Sequence, residues 1–114
     1  MYVEDKRKHP RAKTNNGVSY VIIDDRGNEI AEGLGKIINA SIGGILLETT
    51  KPIGLNNIFL TISDIDDKII NMKGDVTHCR MEDSKTFQCG VQFLEAKENI
   101  QLFVTSLLKG INRL

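Results

Sequence analysis

Asn39-Ala40-Ser41-Ile42-Gly43-Gly44 is a tight polar turn between two apolar runs, one ending at Ile38 and the other opening at Ile45-Leu46-Leu47. Asn, Ser and Gly form turns readily, whereas the β-branched and aliphatic residues on either side favour extended chain. The same strand–turn alternation recurs in both directions. Upstream, Val18-Ser19-Tyr20-Val21-Ile22-Ile23 reads as a first strand, preceded by the turn signal Asn15-Asn16-Gly17. Asp24-Asp25-Arg26-Gly27-Asn28 reverses the chain, with Gly27 free to take positive φ. A second strand is expected from Ile30 to Ile38, where Gly33 and Gly35 point to a bulge or a close backbone approach.

Downstream, Ile45–Thr49 is a short third strand and Lys51-Pro52-Ile53-Gly54 is loop. Ile58–Ile62 is a fourth strand, closed by the acidic turn Asp64-Ile65-Asp66-Asp67. The fifth runs from Lys68 to Arg80, with Ile70, Met72 and Val76 on one face, and the sixth from Thr86 to Leu94. Short strands at regular spacing predict a mainly β fold, a small six-stranded antiparallel barrel. The period then changes. Ile100, Phe103, Val104, Leu107, Leu108 and Ile111 recur every three or four residues, which predicts a C-terminal helix whose apolar face covers the barrel.

The chain has 114 residues, enough for one core, and a domain division of 1–13 (arm), 14–95 (barrel) and 96–114 (helix) is expected. Fifteen basic and fifteen acidic residues cancel, so bulk charge gives no case for nucleic acid or a membrane surface. No apolar run approaches the roughly 20 residues that span a bilayer, nor does the N-terminus hold a signal core. A cytoplasmic location is the expectation. Cys79 and Cys89 fall on opposite strand parities, and without a bulge between them the expectation is two reduced thiols. His78 shares the parity of Met72 and Val76 and is expected to be partly buried.

Charge is unevenly placed. Lys6, Arg7, Lys8, Arg11 and Lys13 lie close together with no acid among them, in an aperiodic segment stiffened by Pro10. This segment is expected to be a flexible N-terminal arm. Its R-x-x-x-R pair, Arg7 and Arg11, followed by the N-x-S-x-x-G of Asn39, Ser41 and Gly44, resembles the two-part signature of the PilZ domain, a bacterial receptor module for cyclic di-GMP. The strand Cys89-Gly90-Val91-Gln92-Phe93 also resembles the closing strand of that family's barrel. The resemblance covers most of the chain and implies a PilZ-type barrel with cyclic di-GMP as ligand.

It further implies a binding surface of Arg7, Arg11, Asn39, Ser41 and Gly44, with Lys6, Lys8 and Gly43 as secondary candidates. The chemistry is apt. An arginine fork donates paired hydrogen bonds to phosphate or to guanine O6 and N7, and its flat face stacks on a base. Asn39 and Ser41 offer oxygen acceptors to guanine N–H groups, and Gly43 and Gly44 are expected to supply positive φ and close access for a large ring. Lys6, a long basic residue before the first arginine, implies a stacked pair of ligand molecules in that family.

No nucleophile stands near a base at recognisable spacing, and no catalytic residue, metal site or cofactor is expected. The acidic turn lacks the glycine and terminal glutamate of an EF-hand loop. A single-stranded nucleic-acid barrel would array aromatics on one face, whereas Phe87, Phe93 and Phe103 fall on core parities, so nucleic acid is not an expected partner. The expected function is a cyclic di-GMP receptor that closes its arm on the ligand and signals to a protein partner. The alternative is a PilZ-like adaptor that binds no nucleotide and acts through protein contacts.

Overall fold

Strands β1 (Ala12–Ile23), β2 (Glu29–Ala40), β3 (Gly44–Thr49), β4 (Asn57–Ser63), β5 (Ile69–Met81) and β6 (Phe87–Phe93) precede one helix, α1 (Lys97–Asn112). The strands close into a barrel in the order β1-β2-β3-β6-β5-β4, and every neighbouring pair is antiparallel. Closure gives each strand a hydrogen-bonded neighbour on both sides. A computed structural model describes residues 12–63 and 66–112.

Alternation builds the core. Ile58, Leu60 and Ile62 of β4 point inward with Val18, Tyr20 and Ile22 of β1, Ile45 and Leu47 of β3 and Val91 and Phe93 of β6. Burial pushes the Tyr20 phenol above its ordinary pKa, and its ring fills the space a side chain at the opposing Gly33 would need. Gly33 therefore answers a close approach rather than a bulge. The helix behaves as its period predicts. Phe103 and Leu107 are fully buried, and α1 packs on β1 and β5. The Phe103 ring meets Phe93 edge-on, with centroids 5.6 Å apart and planes at 73°, an arrangement aromatic quadrupoles favour. Glu95 fastens the junction: its carboxylate accepts from the Lys73 N–H and from Asn99 Nδ2.

Three expectations are corrected, each by a β-bulge. Asn15-Asn16-Gly17 does not turn the chain: β1 runs through it, with its pairing to β2 slipping between Lys13 and Asn16. In β5, Val76 pairs with Val91 and His78 with Gly90, so Thr77 is an extra residue. Such an insertion breaks the period of two. After it, Cys79 turns toward the core and stands directly opposite Cys89, with Cα atoms 4.1 Å apart, and the two are joined in a disulfide. The expected reduced thiols on opposite faces are thus overturned. The same bulge overturns the expected partial burial of His78, which is exposed on the outer wall.

Two hairpin turns are clasped by aspartates. Asp24 Oδ1 accepts the N–H groups of Asn28 and Arg26 at 2.9 Å, and Asp83 Oδ1 accepts those of Lys85 and Thr86 at 2.8 and 2.9 Å. The Asn28 and Lys85 bonds do most to hold the two carboxyls below their ordinary pKa. A lowered folded-state pKa lends stability that is complete above the unfolded value and vanishes as pH falls through the folded one. Carboxyl carbon-13 titrations will therefore place both midpoints below that of an unstructured aspartate, and the two turns will loosen below about pH 4.

The disulfide closes a loop with a sequence separation of 10. Reduction, or the Cys79→Ala, Cys89→Ala double variant, is expected to lower unfolding free energy by about 2–3 kcal/mol. Urea titrations with and without reductant will measure the difference. Identical midpoints would show that the bond adds nothing to the paired strands.

Candidate functional site

The Asn39–Gly44 turn joins the end of β2 to the start of β3, and its polar atoms are largely committed to holding it. Ser41 N–H donates to the Gly44 carbonyl at 2.9 Å. Gly43 N–H donates to Ser41 Oγ at 3.1 Å, which leaves the hydroxyl proton and a second lone pair for other partners. Phe93 N–H donates to the Gly43 carbonyl at 3.3 Å, tying the turn to the end of β6. Ser41 is only 5% exposed. Gly43 and the tip residue Ile42 are exposed.

Neither Gly43 nor Gly44 supplies the positive φ expected of both; among the described residues the glycines that do are Gly27 and Gly54. The smallness of Gly44 serves a different need. A Cβ at position 44 would overlap the carbonyl oxygen of Val91 on β6. The expected conformational role is replaced by a steric one.

Asn39 owes its direction to a bulge. Ile37 pairs with Leu47 and Asn39 with Leu46, so Ile38 is an extra residue in β2. Ile37 and Ala40 both face the core, with two residues between them instead of one. Asn39 is thereby turned to the outer wall, half-buried, beside Leu46. Without the insertion it would share the parity of Ile37 and point inward.

The register then carries one row across the outer wall. Asn39 on β2 faces Leu46 on β3, Leu46 faces Gly90 on β6, and Gly90 faces His78 on β5. Sequence reasoning missed His78 as a member of this surface. The structure supplies the reason: Cys79 packs on the core three positions after the core-facing Val76, a step that alternation cannot make without a bulge.

Arg7, Arg11, Lys6 and Lys8 lie outside the described residues. What the structure does place is the strand they lead into. Ala12 pairs with Ala40 and Lys13 with Asn39, so the chain enters the barrel directly beside the turn. No group of three His, Cys, Asp or Glu able to hold a metal occurs among the described residues, nor is any described helix long and apolar enough to cross a membrane.

The family model of the PilZ domain matches residues 5–108. The chain belongs to the PilZ domain family. No curated protein matches it significantly in sequence. Among solved structures it is similar to MrkH of K. pneumonia in complex with c-di-GMP, at 19% identity and a TM-score of 0.63, covering 97% of this chain and 56% of that one. It is similar to the Bacillus subtilis inhibitor of motility MotI/DgrA, at 14% identity and a TM-score of 0.64, covering 96% and 53%. It is similar also to the PilZ domain of Escherichia coli YcgR with c-di-GMP, at 11% identity and a TM-score of 0.62, covering 96% of each chain. The chain thus spans about half the length of MrkH and MotI/DgrA, and nearly all of the YcgR domain.

Two motif positions carry structural duties, which predicts their behaviour. Gly44→Ala must displace the Val91 backbone and is expected to cost about 1–3 kcal/mol. Ser41→Ala leaves the Gly43 N–H without its acceptor and is expected to cost about 1 kcal/mol. Thermal melts without ligand will test both. Wild-type midpoints would mean that neither residue shapes the turn.

Proposed function

We propose that the chain is a cyclic di-GMP receptor module. One observation supports the reading most directly: the pairing of Ala12 with Ala40 starts the first strand, which follows the arginines in sequence, beside the N-x-S-x-x-G turn. Membership of the PilZ family supports it, as do the c-di-GMP complexes of MrkH and the YcgR domain. In this reading Arg7 and Arg11 grip phosphate and stack on guanine, while Asn39 offers its amide to a guanine edge from the outer wall. Ser41 adds its free hydroxyl proton, and Gly43 and Gly44 keep the turn low enough for the ligand to approach. Lys6 and Lys8 add positive charge, and Lys6 favours a stacked ligand pair. The arm closes on the turn when ligand neutralises its arginines, and the ordered arm presents a new surface to a protein partner in the cytoplasm. The module binds and signals and is not an enzyme.

A second reading, an adaptor that binds no nucleotide, is favoured by the structural duties of Ser41 and Gly44. Those duties would keep part of the motif in place without a ligand. Isothermal titration with cyclic di-GMP separates the two. Wild-type protein is expected to bind saturably, and Arg7→Ala with Arg11→Ala to weaken binding by about a hundredfold or more, since each charge-assisted contact is worth about 1.5–3 kcal/mol. Two ligands per chain are expected from Lys6. Hydrogen exchange across residues 5–13 is expected to slow on ligand addition. Absence of heat from the wild-type protein would leave the adaptor reading standing.

A further inference from the structure

We infer that His78 is an additional ligand-contacting residue, lying on the sheet at the far end of the nucleotide site and stacking its imidazole on a guanine. The inference rests on the receptor reading above and deepens it. His78 lies in the same cross-strand row as Asn39, separated from it by Leu46 and Gly90. Strand spacing of about 4.8 Å puts Gly90 roughly 10 Å from Asn39 along that row.

The ring does not stay over its own strand. Its Nδ1 would lie 2.6 Å from a Cβ at position 90, and Cε1 also falls within the space that Cβ would need. The imidazole therefore reaches from β5 across β6 toward Leu46 and Asn39. Glycine at 90 is what lets it lie down on the sheet.

The ring is also held in place. Thr77 Oγ1 donates to the Gly90 carbonyl at 3.3 Å and stands 3.3 Å from His78 Nδ1. The two contacts of the hydroxyl tie the ring to the Gly90 carbonyl, and Nε2 is the ring nitrogen left to face a base edge. Thr77 is the inserted residue of the β5 bulge, so the element that turns His78 outward also orients its ring.

An exposed planar ring fixed in orientation loses little entropy on stacking a base, and stacking tolerates any purine placed against it. Leu46, half-buried between His78 and Asn39, supplies an apolar floor. No core role competes for the imidazole, because it faces solvent. The His78 ring lying over Gly90, with Leu46 beside it, forms a platform for a purine whose edge is read by Asn39.

The test is isothermal titration with cyclic di-GMP of wild type, His78→Ala, His78→Phe and Gly90→Ala. His78→Ala is expected to weaken binding about tenfold with an unchanged melting midpoint. His78→Phe keeps a stacking ring and is expected to stay within about threefold of wild type. Gly90→Ala places a Cβ against the His78 ring and displaces it, and is expected to match His78→Ala. The imidazole Cε1–H resonance of His78 should also shift on saturation. Wild-type binding with His78→Ala equally tight would overturn this inference alone, whereas no binding by the wild type would overturn it together with the receptor reading.

Discussion

The core's demand on two strands shapes everything on the outer wall. Ile37 and Ala40 in β2 must both face inward, and so must Val76 and Cys79 in β5. A flat strand cannot place residues three apart on one side, because its side chains alternate. Each strand therefore takes in one extra residue, Ile38 in β2 and Thr77 in β5. The insertions turn Asn39 and His78 outward, onto one row joined through Leu46 and Gly90. Packing inside the barrel thus fixes which polar groups stand on its outer wall.

That constraint also explains which parts of the molecule the sequence disclosed. Strand existence was legible, because Val18–Ile22, Ile58–Ile62 and Phe87–Phe93 put every second side chain toward the core. The helix was legible from Phe103 and Leu107, whose spacing suits one face. What failed was parity beyond a bulge. Counting by twos from Met72 through Val76 places His78 inside and Cys79 outside, and Thr77 reverses both. The disulfide was lost for the same reason, since two cysteines look opposed or averted depending on a single insertion. Asn15-Asn16-Gly17 misled differently: residues that favour turns also tolerate the irregular backbone of a bulge.

The motif turn was recognisable as residues but not as mechanics. Ser41 and Gly44 read from sequence as groups offered to a ligand, yet the Ser41 oxygen accepts the Gly43 N–H and Gly44 clears room for the Val91 carbonyl. Their placement makes the turn rigid before any ligand arrives. A rigid turn avoids part of the ordering loss that binding otherwise incurs. It also means that loss of binding in a Ser41 or Gly44 variant mixes damage to the turn with loss of contact.

Net neutrality is no obstacle to an anionic ligand, for charge acts over short range. At physiological ionic strength exposed charges more than about 8 Å apart are largely screened. Acidic residues far along the chain therefore do little to offset Lys6, Arg7, Lys8, Arg11 and Lys13, which no acidic residue interrupts, although Glu4 and Asp5 directly precede the run. Where that run joins the barrel decides its use, and the pairing of Lys13 with Asn39 joins it at the motif turn. The same five charges entering at the far end of β1 would leave the turn without cations of its own. The register of β1 on β2 thus turns a local excess of positive charge into a phosphate-binding prospect at one defined place.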